Sequence, residues 1–267
     1  MSILDSFRID GHVAVVTGSG KGIGRGIAIA LAEAGANVVV AARRQADIDE
    51  VVGVIRAAGG RAIAVQTDVN EPGAIERLAD AAVNEFGKLT IWVNNHGGNR
   101  DGKLIPLNEY EEAEMEWMLH FNFVTAWKGA KEAANRMPPG SSIINITSGA
   151  GMNAAPRTGA YGAAKAAMNN MTQTLAVELA AKRIRVNGVA PGPVPTEIFM
   201  KTFPLDAAGL AAMGERLAVG RLGTPEDLAA CVLWLVSPAG SWVTGQTIAV
   251  NGGHVPGSMA VRHEENK

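Results

Sequence analysis

The chain has one cysteine, Cys231, in 267 residues, which excludes an internal disulfide and any site built from several cysteines. That scarcity fits a reducing compartment, and a cytoplasmic location is expected. Charge of one sign is also missing: 24 basic residues stand against 26 acidic ones, and no run of Lys or Arg offers a phosphate-tracking surface. Nucleic acid is therefore not an expected partner. No basic flank followed by an apolar core opens the chain, so no secretory signal is expected. The longest apolar stretch, residues 26–42, is broken by Glu33, Gly35 and Asn37 and reads as helix, turn and strand, so no membrane span is expected. The histidines have no His/Asp/Glu neighbours at ligand spacing, so no metal is expected. With 47% hydrophobic and 19% charged residues, the composition is that of a globular protein. Neither an internal repeat nor a low-complexity linker divides it, and one domain is expected over 1–267.

Glycine, by contrast, is abundant: 32 of 267 residues, about 12% against a usual value near 7%, which points to tight turns or close backbone approach to a ligand. Val- and Ile-rich runs alternate with segments of helical period. Strands are expected at 12–17, 36–42, 61–67, 89–93, 142–147, 185–189 and 246–250. Ile75, Leu78, Ala79, Ala82, Val83 and Phe86 form one helical stripe, and Thr224-Pro225-Glu226-Asp227 reads as a helix start. This alternation predicts an α/β fold, a Rossmann-type doubly wound parallel sheet of seven strands with helices on both faces. Residues 196–220 break the pattern and carry Ile198, Phe199, Met200, Phe203 and Leu205. Two readings stand: a lid over an apolar ligand, or a short helical pair packed on the core. Residues 255–267 read as a polar C-terminal tail.

The first strand runs into Thr17-Gly18-Ser19-Gly20-Lys21-Gly22-Ile23-Gly24 and then a helix. Glycines let a turn pass close to a pyrophosphate, and the unpaired N–H groups of a helix start favour the anion. The spacing is neither G-x-G-x-x-G, since Ile23 and Arg25 stand where that pattern has glycine, nor the P-loop. T-G-x-x-x-G-x-G resembles the short-chain dehydrogenase/reductase family, and further elements follow in the family's order. These are Asp68-Val69, Asn94-Asn95-His96-Gly97, Asn122, Ser148, Tyr161-x-x-x-Lys165 and Pro191-Gly192. Arg221-Leu222-Gly223, Ser237-Pro238-Ala239 and Gly245-Gln246 through Asn251-Gly252-Gly253 extend the likeness. The stretch from Ile184 to Gly253 is similar both to 7α-hydroxysteroid dehydrogenases and to 3-oxoacyl thioester reductases.

The resemblance implies an oxidoreductase that moves a hydride between a nicotinamide and a secondary alcohol or ketone, with Asn122, Ser148, Tyr161 and Lys165 as catalytic residues. Tyr161 and Lys165 share a helix face one turn apart. To act near pH 7 the phenol must fall by about 3 units from its free value near 10, and one cation at about 4 Å supplies roughly that much before desolvation is counted. Ser148, at the end of the fifth strand, is placed to hydrogen-bond the substrate oxygen. By family likeness the backbone of Asn122 holds a water that links Lys165 to solvent.

The cofactor contacts expected are Gly18, Ser19, Lys21, Gly22, Ile23 and Gly24 in the glycine turn, and Asp68 and Val69 at the adenine. Asn95, His96 and Gly97 follow the fourth strand, Tyr161 and Lys165 stand at the ribose, and Pro191, Gly192, Val194 and Thr196 lie on the nicotinamide side. The second strand ends on Ala42, where an NAD enzyme would carry an acid for the ribose 2′-hydroxyl, and Arg43-Arg44 follows. Arg43 offers a planar fork to a 2′-phosphate and Lys21 approaches from the other side, so NADP(H) is expected, with NAD(H) as the alternative. His96 stands where the family usually has alanine. Its ring is either tolerated behind backbone contacts or turned inward beside the ribose. A small-molecule ketone or alcohol is the expected partner. The alternative is a catalytically silent NADP-binding sensor or scaffold, though such a protein has no need of the full Ser148, Tyr161, Lys165 set. Family likeness also implies a homotetramer, with Trp234 and Trp242 near one packing surface.

Overall fold

The computed structural model describes residues 2–253; the expected tail at 255–267 lies outside the described residues. Seven strands form one parallel sheet: β1 Val13–Thr17, β2 Asn37–Ala42, β3 Arg61–Gln66, β4 Ile91–Asn94, β5 Ser142–Ile146, β6 Arg185–Pro191 and β7 Thr247–Val250. Their order is β3-β2-β1-β4-β5-β6-β7. The helices are α1 Gly22–Glu33, α2 Gln45–Ala57, α3 Ala74–Phe86, α4 Glu112–Leu119, α5 Thr125–Arg136, α6 Gly159–Glu178, α7 Glu197–Thr202, α8 Ala207–Glu215 and α9 Pro225–Val236. This is the doubly wound Rossmann-type architecture.

The inner strands read as unbroken apolar runs because both of their faces are covered. Successive side chains alternate between two cores. Ala14, Val16, Val38 and Val40 pack with α1, α2 and α9, while Val13, Val15, Val39 and Ala41 pack with α3 and α5 on the opposite face. The expected stripe of α3 is buried at Ile75, Leu78, Ala79 and Ala82. At the start of α9 the Asp227 carboxylate accepts from the Thr224 N–H (2.8 Å) and from Arg221 (2.7 and 2.8 Å). The guanidinium and that N–H hold the carboxyl down to about 2.

Strand ends differ from expectation for local reasons. β4 begins at Ile91, and just before it Thr90 already joins β1, its N–H donating to the Val13 carbonyl (3.0 Å) and its hydroxyl accepting from the Val13 N–H (2.9 Å). β6 runs on to Pro191, since the next ladder donor is the Gly192 N–H, bonded to the Val250 carbonyl at 3.0 Å. Residues 196–220 contain the two short helices α7 and α8. Between α4 and α5 the chain makes a π-helical turn, His120–Val124. Wide turns of this kind are frequent at functional sites. Strand order reverses between β1 and β4, and ligands in open α/β sheets bind beyond the carboxyl ends at such a point.

Candidate active site

Beyond those carboxyl ends opens a groove of about 1760 Å³. One drug-sized ligand usually fills roughly 300–1,000 Å³, so this space has room for two. Of the expected site residues, Gly18, Lys21, Gly22, Ile23, Gly24, Arg43, Arg44, Asp68, Val69, Asn95, His96 and Gly97 line it, as do Ser148, Tyr161, Lys165, Pro191, Gly192, Val194 and Thr196. Ser19 and Asn122 do not. The Ser19 hydroxyl donates to the Val16 carbonyl (2.7 Å) and accepts from the Ala41 N–H (2.9 Å), so this buried side chain ties β1 to β2. Asn122 is buried too: its amide accepts from the Gly98 N–H (2.8 Å) and donates to the Gly98 carbonyl (3.0 Å). The π-helical turn thus aims Asn122 at the loop after β4 and fixes that loop's backbone.

At one end of the groove lies the start of α1. Gly18 has φ +66°, and a Cβ on Gly24 would come within 2.4 Å of the Gly18 carbonyl, so turn and helix meet only without side chains. The Asn95 amide donates to the Thr17 and Gly18 carbonyls (2.9 and 3.1 Å), and the Thr17 hydroxyl accepts from the Asn95 and His96 N–H groups (3.0 and 3.3 Å). No side chain caps α1 and no acid sits in its first turn. That uncapped helix start suits a pyrophosphate. Arg43 is exposed and has no ion pair among the described residues, whereas Lys21 and Arg44 are both engaged. Lys21 lies 3.3 Å from Glu197 and 3.8 Å from Asp47, and Arg44 pairs with Asp47 and, at 3.4 Å, with Glu197.

At the other end, Ser148 heads a short 3₁₀ turn and its hydroxyl oxygen accepts from the Ala150 N–H at 3.1 Å, leaving its proton free to be donated. It faces the Tyr161 phenol on α6 and favours the ionised ring. Lys165 is buried. Its ammonium lies 5.7 Å from the centroid of the Tyr161 ring and donates to the Ile146 carbonyl at 2.9 Å. Burial holds it down to about 7. The expected fall of the phenol does not occur in the unliganded protein: burial pushes Tyr161 above its ordinary value, and the Ser148 contact only opposes this. Desolvation therefore sets the sign of the shift in the unliganded protein.

The His96 ring is buried between Thr17 and Thr125. Its Nδ1 meets the Thr17 hydroxyl at 2.9 Å and its Nε2 the Thr125 hydroxyl. The Thr125 hydroxyl also donates to the Phe121 carbonyl (2.6 Å) and the Thr17 hydroxyl to the Val93 carbonyl (3.1 Å), so each ring nitrogen shares its hydroxyl with a backbone acceptor. Burial and the nearby Lys165 bring this histidine down to about 3, so the ring is neutral at ordinary pH. Its edge packs on Phe121, which stacks on Trp117 at 4.8 Å, and these two rings line the groove. Nothing in the sequence marked Phe121 and Trp117 as groove residues, because the π-helical turn decides which side of the helix faces inward. Ile198, Phe199, Phe203 and Leu205 of the 196–220 segment also line it, and so do Met213 and Leu217. The turn without side chains, the uncapped helix start and the buried ammonium fit a nicotinamide dinucleotide. Among the described residues, no group of His, Cys, Asp or Glu converges as metal ligands, and no helix is long and apolar enough to cross a membrane.

A family model described as enoyl-(acyl carrier protein) reductase matches residues 18–254. An uncharacterized oxidoreductase of Mycobacterium tuberculosis is 42% identical over 254 residues, covering 94% of this chain and 95% of the relative. A 7α-hydroxysteroid dehydrogenase of Escherichia coli is 35% identical over 252 residues, covering 94% and 97%. A solved 7α-hydroxysteroid dehydrogenase, complexed with NADH and 7-oxo glycochenodeoxycholic acid, superposes with a TM-score of 0.89 at 36% identity, covering 96% of this chain and 98% of that one.

Proposed function

The chain belongs to the short-chain dehydrogenase/reductase family of oxidoreductases, and within it we propose an NADP(H)-dependent enzyme that interconverts a ketone and a secondary alcohol on an apolar body. The observation that carries this reading is the meeting of Ser148, Tyr161 and Lys165 at one end of a groove whose other end is an uncapped helix start. A bound nicotinamide supplies or accepts the hydride.

The protein's part is to hold the proton and the geometry. Tyr161 Oη keeps its proton at neutral pH because burial raises its pKa, so it meets a carbonyl oxygen as an acid, the form that reduction uses. Ser148, anchored through Ala150, donates its hydroxyl proton to the same substrate oxygen and sets its direction. As the phenol gives up its proton, the Lys165 ammonium facing the ring favours the phenolate. Ile198, Phe199 and Phe203 act as the lid that excludes water on the substrate side. Their apolar character suits a hydroxysteroid or a 3-oxoacyl chain, in keeping with the names of the relatives.

NADP(H) is favoured over NAD(H) because β2 ends on Ala42 rather than on an acid, and the Arg43 beyond it has no ion pair among the described residues. The enzyme is read as one domain, cytoplasmic and homotetrameric; Trp242 is 99% exposed in the single chain, whereas Trp234 packs partly against the core. The test is absorbance at the reduced-nicotinamide band with steroid ketones, 3-oxoacyl thioesters and small ketones, using each cofactor in turn. Ketone-dependent oxidation, faster with NADPH than with NADH, is expected. Binding of either cofactor without oxidation by any ketone overturns the catalytic reading, and faster turnover with NADH overturns the cofactor reading.

A further inference from the structure

Glu197 is the first residue of α7 and lies far along the chain from the glycine turn, yet it reaches back to it. Thr196 sits over the turn, with its methyl 3.0 Å from where a Cβ on Gly22 would stand. Glu197 then extends across the groove. One carboxylate oxygen pairs with Lys21 (3.3 Å) and Arg44 (3.4 Å), and the other with Lys201 one turn along α7 (3.2 Å). Asp47, in the first turn of α2, holds the same Lys21 and Arg44 from the other side. Lys21, Arg44 and Lys201 are therefore already bridged by carboxylates, whereas Arg43 has no ion pair among the described residues.

We infer that Glu197 is a specificity-determining residue: it acts as an internal anion on Lys21 and Arg44, which the 2′-phosphate of NADP(H) must displace and which NAD(H) leaves in place. The inference rests on the cofactor reading above. Three observations support it. The carboxylate contacts the two cations that flank the β2 end, where the 2′ position of the adenosine is recognised in dinucleotide-binding folds. All the partners are about half exposed, so these ion pairs are weak and exchangeable. A phosphate monoester carries close to two negative charges, so it competes well for the same fork-shaped and point-charge donors. The lysines that surround Glu197 also hold its carboxyl down to about 2, so it is charged wherever the enzyme folds.

The experiment is titration of the whole protein with NADPH and with NADH, followed by the fluorescence of the bound reduced nicotinamide, in the parent, Glu197→Gln and Glu197→Asp. In Glu197→Gln the dissociation constant for NADPH is expected to fall about five-fold while that for NADH changes less than two-fold, a shift set by the modest strength of exposed pairs. Glu197→Asp keeps the charge but shortens the arm, and its NADPH-to-NADH ratio is expected to move toward that of Glu197→Gln. An unchanged ratio in Glu197→Gln, or an equal gain for both cofactors, overturns the inference. So does a Glu197→Asp protein that behaves as the parent, since a long-range field then explains the effect. The cofactor reading fails separately, if the parent itself binds NADH more tightly than NADPH.

Discussion

The two ends of the groove handle charge in opposite ways. At the adenosine end Lys21, Arg44, Asp47, Glu197 and Lys201 form a mesh of mostly exposed ion pairs. There each contact is weak and water screens what remains. At the chemical end Lys165 is buried beside a phenol with no carboxylate paired to it among the described residues, and both groups depart from their ordinary values through burial. The difference teaches that selectivity and reactivity are built from different physics: one end exchanges partners, and the other keeps a group in a state that water would not allow.

The sharpest break in that contrast comes from Tyr161→Phe. Removing the proton held by Oη is expected to lower turnover by about 10²–10⁴-fold, the usual worth of a general acid, with NADPH binding altered less than two-fold. Steady-state rates beside a fluorescence titration check both parts, and normal turnover removes Tyr161 from the chemistry.

Lys165→Met separates function from stability. Turnover is expected to fall steeply, yet the unliganded variant is expected to be more stable by about 1 kcal/mol or more, since replacing an uncompensated buried charge by an apolar side chain removes a desolvation cost. The lysine's folded value, about 7, lies below its unfolded value near 10.4. Its cost is therefore full below pH 7 and fades as pH rises from 7 toward 10.4, and the variant's gain must follow the same profile. Thermal melts of both proteins across that range check the sign; a variant that melts lower than the parent at pH 6 contradicts the account.

Arg43→Ala probes the exposed end, with a smaller effect than Tyr161→Phe. Loss of one charge-assisted fork is expected to weaken NADPH by about ten-fold and NADH by less than two-fold. Paired titrations read this directly, and equal losses mean that Arg43 serves both cofactors alike.

Most of the architecture could be read from residue order because the sheet is buried on both faces. A run such as Val38-Val39-Val40-Ala41-Ala42 has few alternatives to a central strand, and β2 begins and ends within one residue of expectation. The spacing of Tyr161 and Lys165 on one helix is also a local matter, and α6 places both in the groove. What escaped were features decided by distant partners. The hydroxyl of Thr90 takes the Val13 N–H ahead of β4, and the Glu197 carboxylate finds Lys21 across 176 residues. The sign of the Tyr161 shift was missed because the sequence shows a nearby cation but not the depth of burial around it. A threonine followed by an acid at 196–197 does mark a helix start, and Thr196 accepts from the Phe199 N–H at 3.4 Å, but that signal names no partner for Glu197.

The widened turn at 120–124 has a consequence for how the chain tolerates insertions and deletions. A π-helical turn holds one residue more than the α-helical turn it replaces. Excising a single position there would let α4 run into α5 as one regular helix, with little damage to either, while swinging Asn122 about a third of the way round the axis and away from Gly98. A one-codon loss in this helix would thus spare the scaffold and untie the loop after β4.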